Sequence, residues 1–173
     1  VETTLSESYF ETDMDGWVDG DGAGVLVVRQ VYASRAAEGE YSIKIKDNEG
    51  ESSSVTSPAY DISAYDEVTI DYQYYPHNQA GSDGFSVKYY DGSIWQTIAS
   101  YVVDTDFVNG QFYSQSLTLS SADFALPVDA KFRFESNGLG GGRHIYIDAV
   151  IITAATVDTN PVDPEPVECA VGE

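Results

Sequence analysis

The chain has 173 residues, and its 29 Asp and Glu outnumber its 8 Lys and Arg to give a formal net charge of −21. This balance argues against a nucleic-acid partner and against an anionic membrane, because both require basic surface. It favours a secreted protein or one that binds cations. The length predicts one domain whose core needs no disulfide, and the single cysteine, Cys169, has no internal partner. No apolar run approaches the ~20 residues of a membrane span.

Strand signals alternate with turn residues along most of the chain, and no segment predicts a helix of useful length. An acid- and glycine-rich loop follows the first strand, and its spacing does not match an EF-hand. Asp91-Gly92 predicts a tight hairpin, since both positions of a type I′ turn need positive φ. Strands are predicted at residues 5–11, 25–32, 41–46, 53–62, 67–77, 85–90, 94–103, 113–119, 130–135 and 144–153.

This pattern predicts an all-β fold, a β-sandwich with the jelly-roll arrangement of about ten antiparallel strands. We expect the sandwich to span residues 1–154. Residues 155–173 are rich in Pro and acids, which is typical of an extended linker to a further module. The chain opens at Val1 without a signal peptide, so we expect it to be a piece of a longer secreted protein, and the module itself to be a monomer.

One carboxylate interrupts the longest apolar run of the sequence, the last strand. Asp148 stands there where a buried strand should carry Val or Ile, and Glu11 follows an aromatic at the end of the first strand. A buried carboxylate needs a cation or several donors. First and last strands often lie side by side in sandwiches, so a hard cation such as Ca²⁺ could satisfy both acids. The alternative is that Asp148 faces solvent and Glu11 begins a turn.

Strand alternation also predicts a polar and aromatic face opposite the core. If Val68 and Ile70 are core, the other face of neighbouring strands combines aromatic rings with amide, acidic and basic groups. Rings can stack on sugar C–H faces while planar polar groups bind hydroxyls, and mixed linings are typical of ligand sites. The alternative is that these tyrosines are ordinary strand formers on a solvated sheet. The candidate ligand-binding residues are Asp71, Gln73, Tyr75, Lys88, Tyr90, Trp95 and Arg133.

Catalytic signatures are weak in this sequence. His77 and His144 are far apart in the sequence, and neither accompanies a Cys or a metal-spaced partner. The sequence has no phosphate loop, nucleophile elbow or zinc signature. Paired carboxylates could serve a glycosidase, but 29 acids produce such pairs by chance.

Several short motifs resemble landmarks of MAM-like and carbohydrate-binding jelly-roll modules. They are Phe10-Glu11, Gly16-Trp17, the run from Gly39 to Lys44, and the run from Tyr146 to Val150. Residues 46–48 and 105–113 resemble a version appended to secreted bacterial hydrolases. The resemblance implies a structural Ca²⁺ held by Glu11, Asp148 and the region around Ser42. The chain lacks the cysteines of animal MAM domains.

The sequence therefore predicts a non-catalytic, polysaccharide-binding module that targets an attached secreted enzyme to its substrate, with a structural calcium. Its expected partners are a polysaccharide and other modules of the same chain. Two alternatives remain open: a MAM-like interaction or spacer domain of a secreted protease or adhesin, and a polysaccharide-active enzyme. The loops around Asp47, Asn109 and Arg143 are the alternative binding site, because jelly rolls also bind ligands at the sandwich edge.

Overall fold

The computed structural model describes residues 1–20, 27–46, 53–137 and 142–157. This part of the chain contains eleven strands, one 3₁₀ turn at Ala33–Arg35 and no α-helix. No helix within it is long and apolar enough to cross a membrane. The strands are β1 (Glu2–Ser8), β2 (Val18–Asp19), β3 (Val27–Val31), β4 (Tyr41–Lys46), β5 (Ser54–Thr56), β6 (Glu67–His77), β7 (Gly84–Tyr90), β8 (Trp95–Val102), β9 (Tyr113–Ser120), β10 (Lys131–Ser136) and β11 (His144–Ala155).

The strands form two antiparallel sheets that pack face to face as a jelly-roll β-sandwich, as predicted. The six-stranded sheet has the order β3-β4-β11-β6-β9, and β1 also pairs with β11. The five-stranded sheet has the order β2-β5-β10-β7-β8. First and last strands therefore lie side by side, with Ser8 opposite Val150.

An aromatic core fills the space between the sheets. Tyr74 of β6 is buried between Phe85 and Tyr113, with ring centroids 4.8 and 5.1 Å away. Trp17 is also buried and stacks on Phe134, with ring centroids 5.6 Å apart. Such rings each bury a large apolar area, and this core stabilises the sandwich.

Three predicted strand boundaries were wrong. The first strand ends at Ser8, because the chain turns at Phe10, whose φ is +59°. Only Ser54–Thr56 of the predicted 53–62 strand is extended in the sheet, since Pro58 has no N–H for a ladder. The predicted tight turn at Asp91-Gly92 is instead a four-residue loop, because Tyr90 pairs with Trp95 and Gly92, but not Asp91, has a positive φ. Residues 21–26, residues 47–52 and the part of the predicted linker at 158–173 lie outside the described part.

The expectation that β6 and β7 are neighbours in one sheet was also wrong. The chain crosses from the six-stranded sheet to the five-stranded one between His77 and Gly84. Alternation shows which side chains point inward, but each sheet of a sandwich has an inward side. The period of two therefore could not tell which sheet a strand joins.

Candidate functional site

The outer surface of the five-stranded sheet carries four of the predicted ligand-binding residues. Tyr89, Phe132 and Phe134 of its strands point into the core, so the alternate positions point outward. We call this surface the Trp95 face, and its side chains are Lys88, Tyr90, Trp95, Lys131, Arg133 and Glu135.

Two aromatic rings lie at the hairpin end of the Trp95 face, on β7 and the edge strand β8. Tyr90 and Trp95 close the β7–β8 hairpin with ring centroids 5.4 Å apart and planes inclined by 46°. The turn beyond them is held by Asp91, whose Oδ1 accepts from the N–H groups of Ser93 and Ile94, each at 2.9 Å. Ile94 is 62% exposed in this turn. The next residue, Trp95, lies over the sheet, where its ring contacts Arg133. The hairpin thus fixes both rings at the surface.

Each of these rings contacts a cationic side chain. The Arg133 guanidinium carbon lies 4.2 Å from the Trp95 ring centroid, and Lys131 Nζ lies 5.7 Å from that of Tyr90. Such contacts are worth about 0.5–1 kcal/mol each at partly exposed positions. A cleft of about 420 Å³ runs beside the rings and is also lined by Val18, Asp19, Gly20 and Thr56.

One carboxylate, Glu135, lies among the three cations of the Trp95 face. Lys88 Nζ lies 2.5 Å from Glu135 Oε1, and Arg133 Nη1 lies 3.9 Å from Glu135 Oε2. Arg133 Nε also donates to Thr56 Oγ1 at 3.0 Å. The face therefore combines rings with fixed hydrogen-bond donors and acceptors, which suits a ligand rich in hydroxyls.

The other three predicted residues lie on the opposite side of the sandwich. Asp71, Gln73 and Tyr75 project from β6 on the outer surface of the six-stranded sheet. Asp71 and Gln73 line a separate cleft of about 520 Å³ with Ser114, Gln115 and Ser116. The structure thus divides the seven residues between two surfaces, and they form no single site, because β6 and β7 belong to different sheets.

The two histidines, distant in the sequence, meet on this second surface. His144 pairs with His77 across β11 and β6, and their rings stack at 6.1 Å. Burial, and then the charge of Lys44, lower the pKa of His144 to about 4. The imidazole is therefore neutral near pH 7.

Asp148, the first predicted calcium ligand, is buried with 1% of its surface exposed. It lies at a register shift in β11, before Ala149, whose φ is +48°. Its Oδ2 accepts from the backbone N–H groups of Ala37 at 2.7 Å and Glu38 at 3.1 Å. Burial raises the pKa of Asp148 to about 6, and the charge of Glu11 adds to the rise.

Glu11 accepts hydrogen bonds from the same backbone segment as Asp148, a few residues further along the chain. Its Oε1 accepts from the backbone N–H groups of Tyr41 at 2.9 Å and Glu40 at 3.1 Å. A side chain on Gly39 would place a Cβ 2.3 Å from the Glu11 carboxyl carbon, so this position requires glycine. The segment 37–41 therefore joins the two carboxylates.

Ser42 completes the predicted set. It is fully buried, and its Oγ has no hydrogen-bond partner. Ile147 pairs with Ile43, so continuing the antiparallel register puts Ser42 opposite Asp148. Two mutually repelling carboxylates beside an unpaired hydroxyl fit a hard cation. No three His, Cys, Asp or Glu side chains cluster for a metal in the described residues, so backbone oxygens or Ser42 would have to contribute.

Two of the three loop residues predicted as an alternative site, Asn109 and Arg143, form contacts within the protein. Asn109 exchanges two hydrogen bonds with the Gln79 backbone, both at 2.8 Å. Arg143 Nη1 lies 2.8 Å from Asp83 Oδ2. Asp47 lies outside the described residues. The sequence did not predict that Lys131 contacts Tyr90 or that Glu135 pairs with Lys88. These contacts follow from the pairing of β10 with β7, which the sequence pattern does not show.

Comparison with solved structures finds carbohydrate-binding modules with the same β-sandwich fold. The xylan-binding CBM22-1 domain of Xyn10C from Paenibacillus barcinonensis superposes with a TM-score of 0.67 at 14% identity, covering 91% of this chain and 97% of that one. Other neighbours include carbohydrate-binding modules of families 61 and 16, the former solved with β-1,4-galactotriose. At such identities the likeness establishes the fold alone.

Two further neighbours show that the fold also occurs outside this class. The K3 adhesin domain of Lys-gingipain from Porphyromonas gingivalis has a TM-score of 0.62 at 13% identity, covering 88% of this chain and 99% of that one. A cyclase from Fischerella sp. TAU has a TM-score of 0.63 at 15% identity, covering 92% and 100%. No family model matches the sequence. No curated protein matches it either.

Proposed function

We propose that this chain is a non-catalytic polysaccharide-binding module, monomeric, that targets an attached secreted enzyme to its substrate. The observation that carries the proposal is the Trp95 face, with Tyr90 and Trp95 held 5.4 Å apart at an exposed hairpin. Their rings can stack on the C–H faces of sugars. Linkage to an enzyme would raise the local concentration of substrate without any new catalytic group.

The ligand class follows from the hydrogen-bonding groups of this face. Glu135 pairs with Lys88 and with Arg133, the cation that contacts Trp95, so both of these cations are already bound to a carboxylate beside the rings. Together with the rings, these polar groups can bind sugar hydroxyls. A neutral polysaccharide is therefore the expected ligand of the Trp95 face, and the xylan-binding neighbour supports this class.

A structural calcium between Glu11 and Asp148 belongs to the same proposal. The ion would join the loop after β1, the segment 37–41 and the bulge of β11, and would leave Asp148 ionised. Support comes from the raised pKa of Asp148 and from the unpaired Oγ of Ser42. The calcium would act on stability, because it lies away from the Trp95 face.

Affinity electrophoresis in gels containing xylan, galactan, mannan or a mixed-linkage glucan tests the function. The chain should be retarded by at least one of these neutral polymers. Trp95→Ala should weaken retardation about ten- to a hundredfold in affinity, by analogy with the roughly 1–3 kcal/mol of an aromatic stacking contact. Ile94→Ala is the matched control, since Ile94 is exposed in the same turn, and it should bind like the wild type.

Three results would contradict the proposal. Equal retardation of Trp95→Ala and wild type would remove the site from this face. Release of new reducing ends from any retarding polymer would make the chain an enzyme. A chain that no polymer retards would favour the protein-interaction alternative, in line with its adhesin-domain neighbour.

A further inference from the structure

The positive charges of this acidic chain are unevenly distributed. Lys88, Arg133 and Arg143 form ion pairs with carboxylates. In the residues that the structure describes, the other five cations form none. Three of these five, Arg35, Lys44 and Lys46, belong to the 3₁₀ turn and β4. In a protein of charge −21, three uncompensated cations on neighbouring elements are a distinct feature.

Strand register aligns these cations with aromatic side chains on the outer surface of the six-stranded sheet. Tyr146 pairs with Lys44 on one side and with Tyr75 on the other. Phe112 continues this row, with its ring 5.1 Å from that of Tyr75. Three strand spacings make the row about 14 Å long, comparable to a short oligosaccharide.

A second row of side chains lies next to the first, and each of its members is two positions away from a member of the first row on the same strand. His144 pairs with Lys46 on β4 and with His77 on β6. Side chains two residues apart on a strand share a face, so both rows belong to one surface. We call it the Arg35 face, and its side chains are Arg35, Lys44, Lys46, Tyr75, His77, Phe112, His144 and Tyr146.

Arg35 is fixed at the edge of these rows. Its Nη1 donates to the Tyr146 hydroxyl at 2.6 Å, and its guanidinium carbon lies 5.1 Å from the Tyr146 ring centroid. The Tyr32 and Tyr75 ring centroids lie 4.2 and 5.9 Å from the same carbon. Tyr32 and Phe112 remain 46% and 41% exposed. Tyr146 is buried, with 2% of its surface exposed, so Tyr32, Phe112 and the partly exposed Tyr75 provide the accessible rings of this face. A preorganised guanidinium beside such rings suits a planar anionic group carried on a sugar.

The cations of this face also repel one another. Burial, followed by the charges of Lys46 and Arg35, lowers the pKa of Lys44, whose Nζ donates to Gln30 Oε1 at 2.7 Å. On β6, the nearest outward acid is Asp71, which lies beyond Gln73 and lines the separate cleft there. A bound anion would relieve the mutual repulsion of Arg35, Lys44 and Lys46.

The geometry points to the Arg35 face as a second binding site, for an acidic polysaccharide whose sugars carry carboxylate or sulfate groups. Arg35 and Lys44 would bind the anionic groups, and Tyr75 and Phe112 would contact the sugar rings. The module would then bind two kinds of glycan on opposite sides of the sandwich. The inference shares with the proposed function only the class of ligand, because none of its residues belongs to the Trp95 face.

Affinity electrophoresis of the full chain tests this site with polygalacturonate, which carries carboxylates, and carrageenan, which carries sulfates. At least one should retard the wild type, and the stronger of the two identifies the preferred anionic group. Added salt should weaken the retardation, because charge attraction at an exposed surface is screened. Arg35→Gln should reduce affinity about tenfold or more, the usual range for a charged hydrogen bond.

Matched variants separate this site from general charge and from the first site. Lys131→Gln removes the same charge from the Trp95 face and should leave acidic-polymer binding unchanged, as should Trp95→Ala. Tyr75→Ala should weaken it without removing charge. Thermal melts of each variant establish that it is folded. Three results would overturn the inference. The first is an equal loss of acidic-polymer affinity in Arg35→Gln and Lys131→Gln, and the second is no loss of that affinity in either Arg35→Gln or Tyr75→Ala. The third is that neither acidic polymer retards the wild type.

Discussion

Asp148 shows at the scale of one residue how this fold accommodates a buried charge. Its carboxylate accepts backbone N–H groups from Ala37, Glu38 and Ala149, yet burial still raises its pKa to about 6. The amides alone therefore do not compensate for lost hydration. The nearby charge of Glu11 adds repulsion, and a cation between the two would remove both costs.

Removal of calcium should lower the thermal stability of the wild type. A metal that binds only the folded state adds about 2.7 kcal/mol at a hundredfold excess over its dissociation constant, or roughly 5–10 °C in Tm for a domain of this size. Asp148→Ala should lower the Tm in calcium and abolish the effect of EDTA, whereas the exposed Asp123→Asn should retain it. Differential scanning calorimetry gives both values. The same Tm for metal-stripped wild type with and without calcium would exclude the site.

His144 should remain neutral far below the usual histidine range. Its pKa is lowered to about 4, chiefly by burial, so an NMR titration of its ring should show a midpoint near pH 4. The unfolded chain takes up this proton near pH 6.5, so stability from this group is present above pH 6.5 and is lost as the pH falls toward 4. His144→Gln should show a smaller loss of stability over that window. A midpoint at pH 6 or above would contradict the burial of this ring.

Strand β6 shows at the scale of one element what alternation could predict. It correctly placed Val68, Ile70, Tyr72 and Tyr74 in the core and the residues between them outside. It could not show that β6 and β7 lie in different sheets, because the inward side of each strand has the same pattern. The predicted site was therefore a mixture of two surfaces, each with outward side chains assigned correctly.

Adjacent tyrosines of β6 provide a direct test of this register. Tyr74→Ala should destabilise the domain by about 3–5 kcal/mol, since it leaves a cavity among buried rings. Tyr75→Ala should cost much less, because the ring lies on the partly exposed outer face. Urea unfolding of both variants measures the difference. Equal losses would mean that the side chains do not alternate as described.

The whole molecule is a sandwich with a different chemistry on each outer surface. The five-stranded sheet presents two rings beside Lys88 and Arg133, which share Glu135. The six-stranded sheet presents rings beside Arg35, Lys44 and Lys46, which form no ion pair in the described residues. The net charge of −21 predicted neither of these two surfaces, because a sum does not show where the eight cations lie. The buried Asp148 and its closeness to Glu11 were predictable, because a lone acid in an apolar strand is conspicuous. The contacts of Trp95 were not predictable from the sequence, because they depend on which strands pair.

Binding of a neutral polysaccharide to the Trp95 face can be observed residue by residue in an NMR titration of the ¹⁵N-labelled chain. The titrant is an oligosaccharide of whichever neutral polymer retards the chain, with xylohexaose as the first choice. We expect the backbone amides of Tyr90, Trp95, Lys131 and Arg133 and the Trp95 indole N–H to shift progressively to saturation, while those of Tyr75 and Tyr146 stay in place. Saturable shifts confined to the six-stranded sheet or the loops, with the Trp95 signals unmoved, would contradict the account.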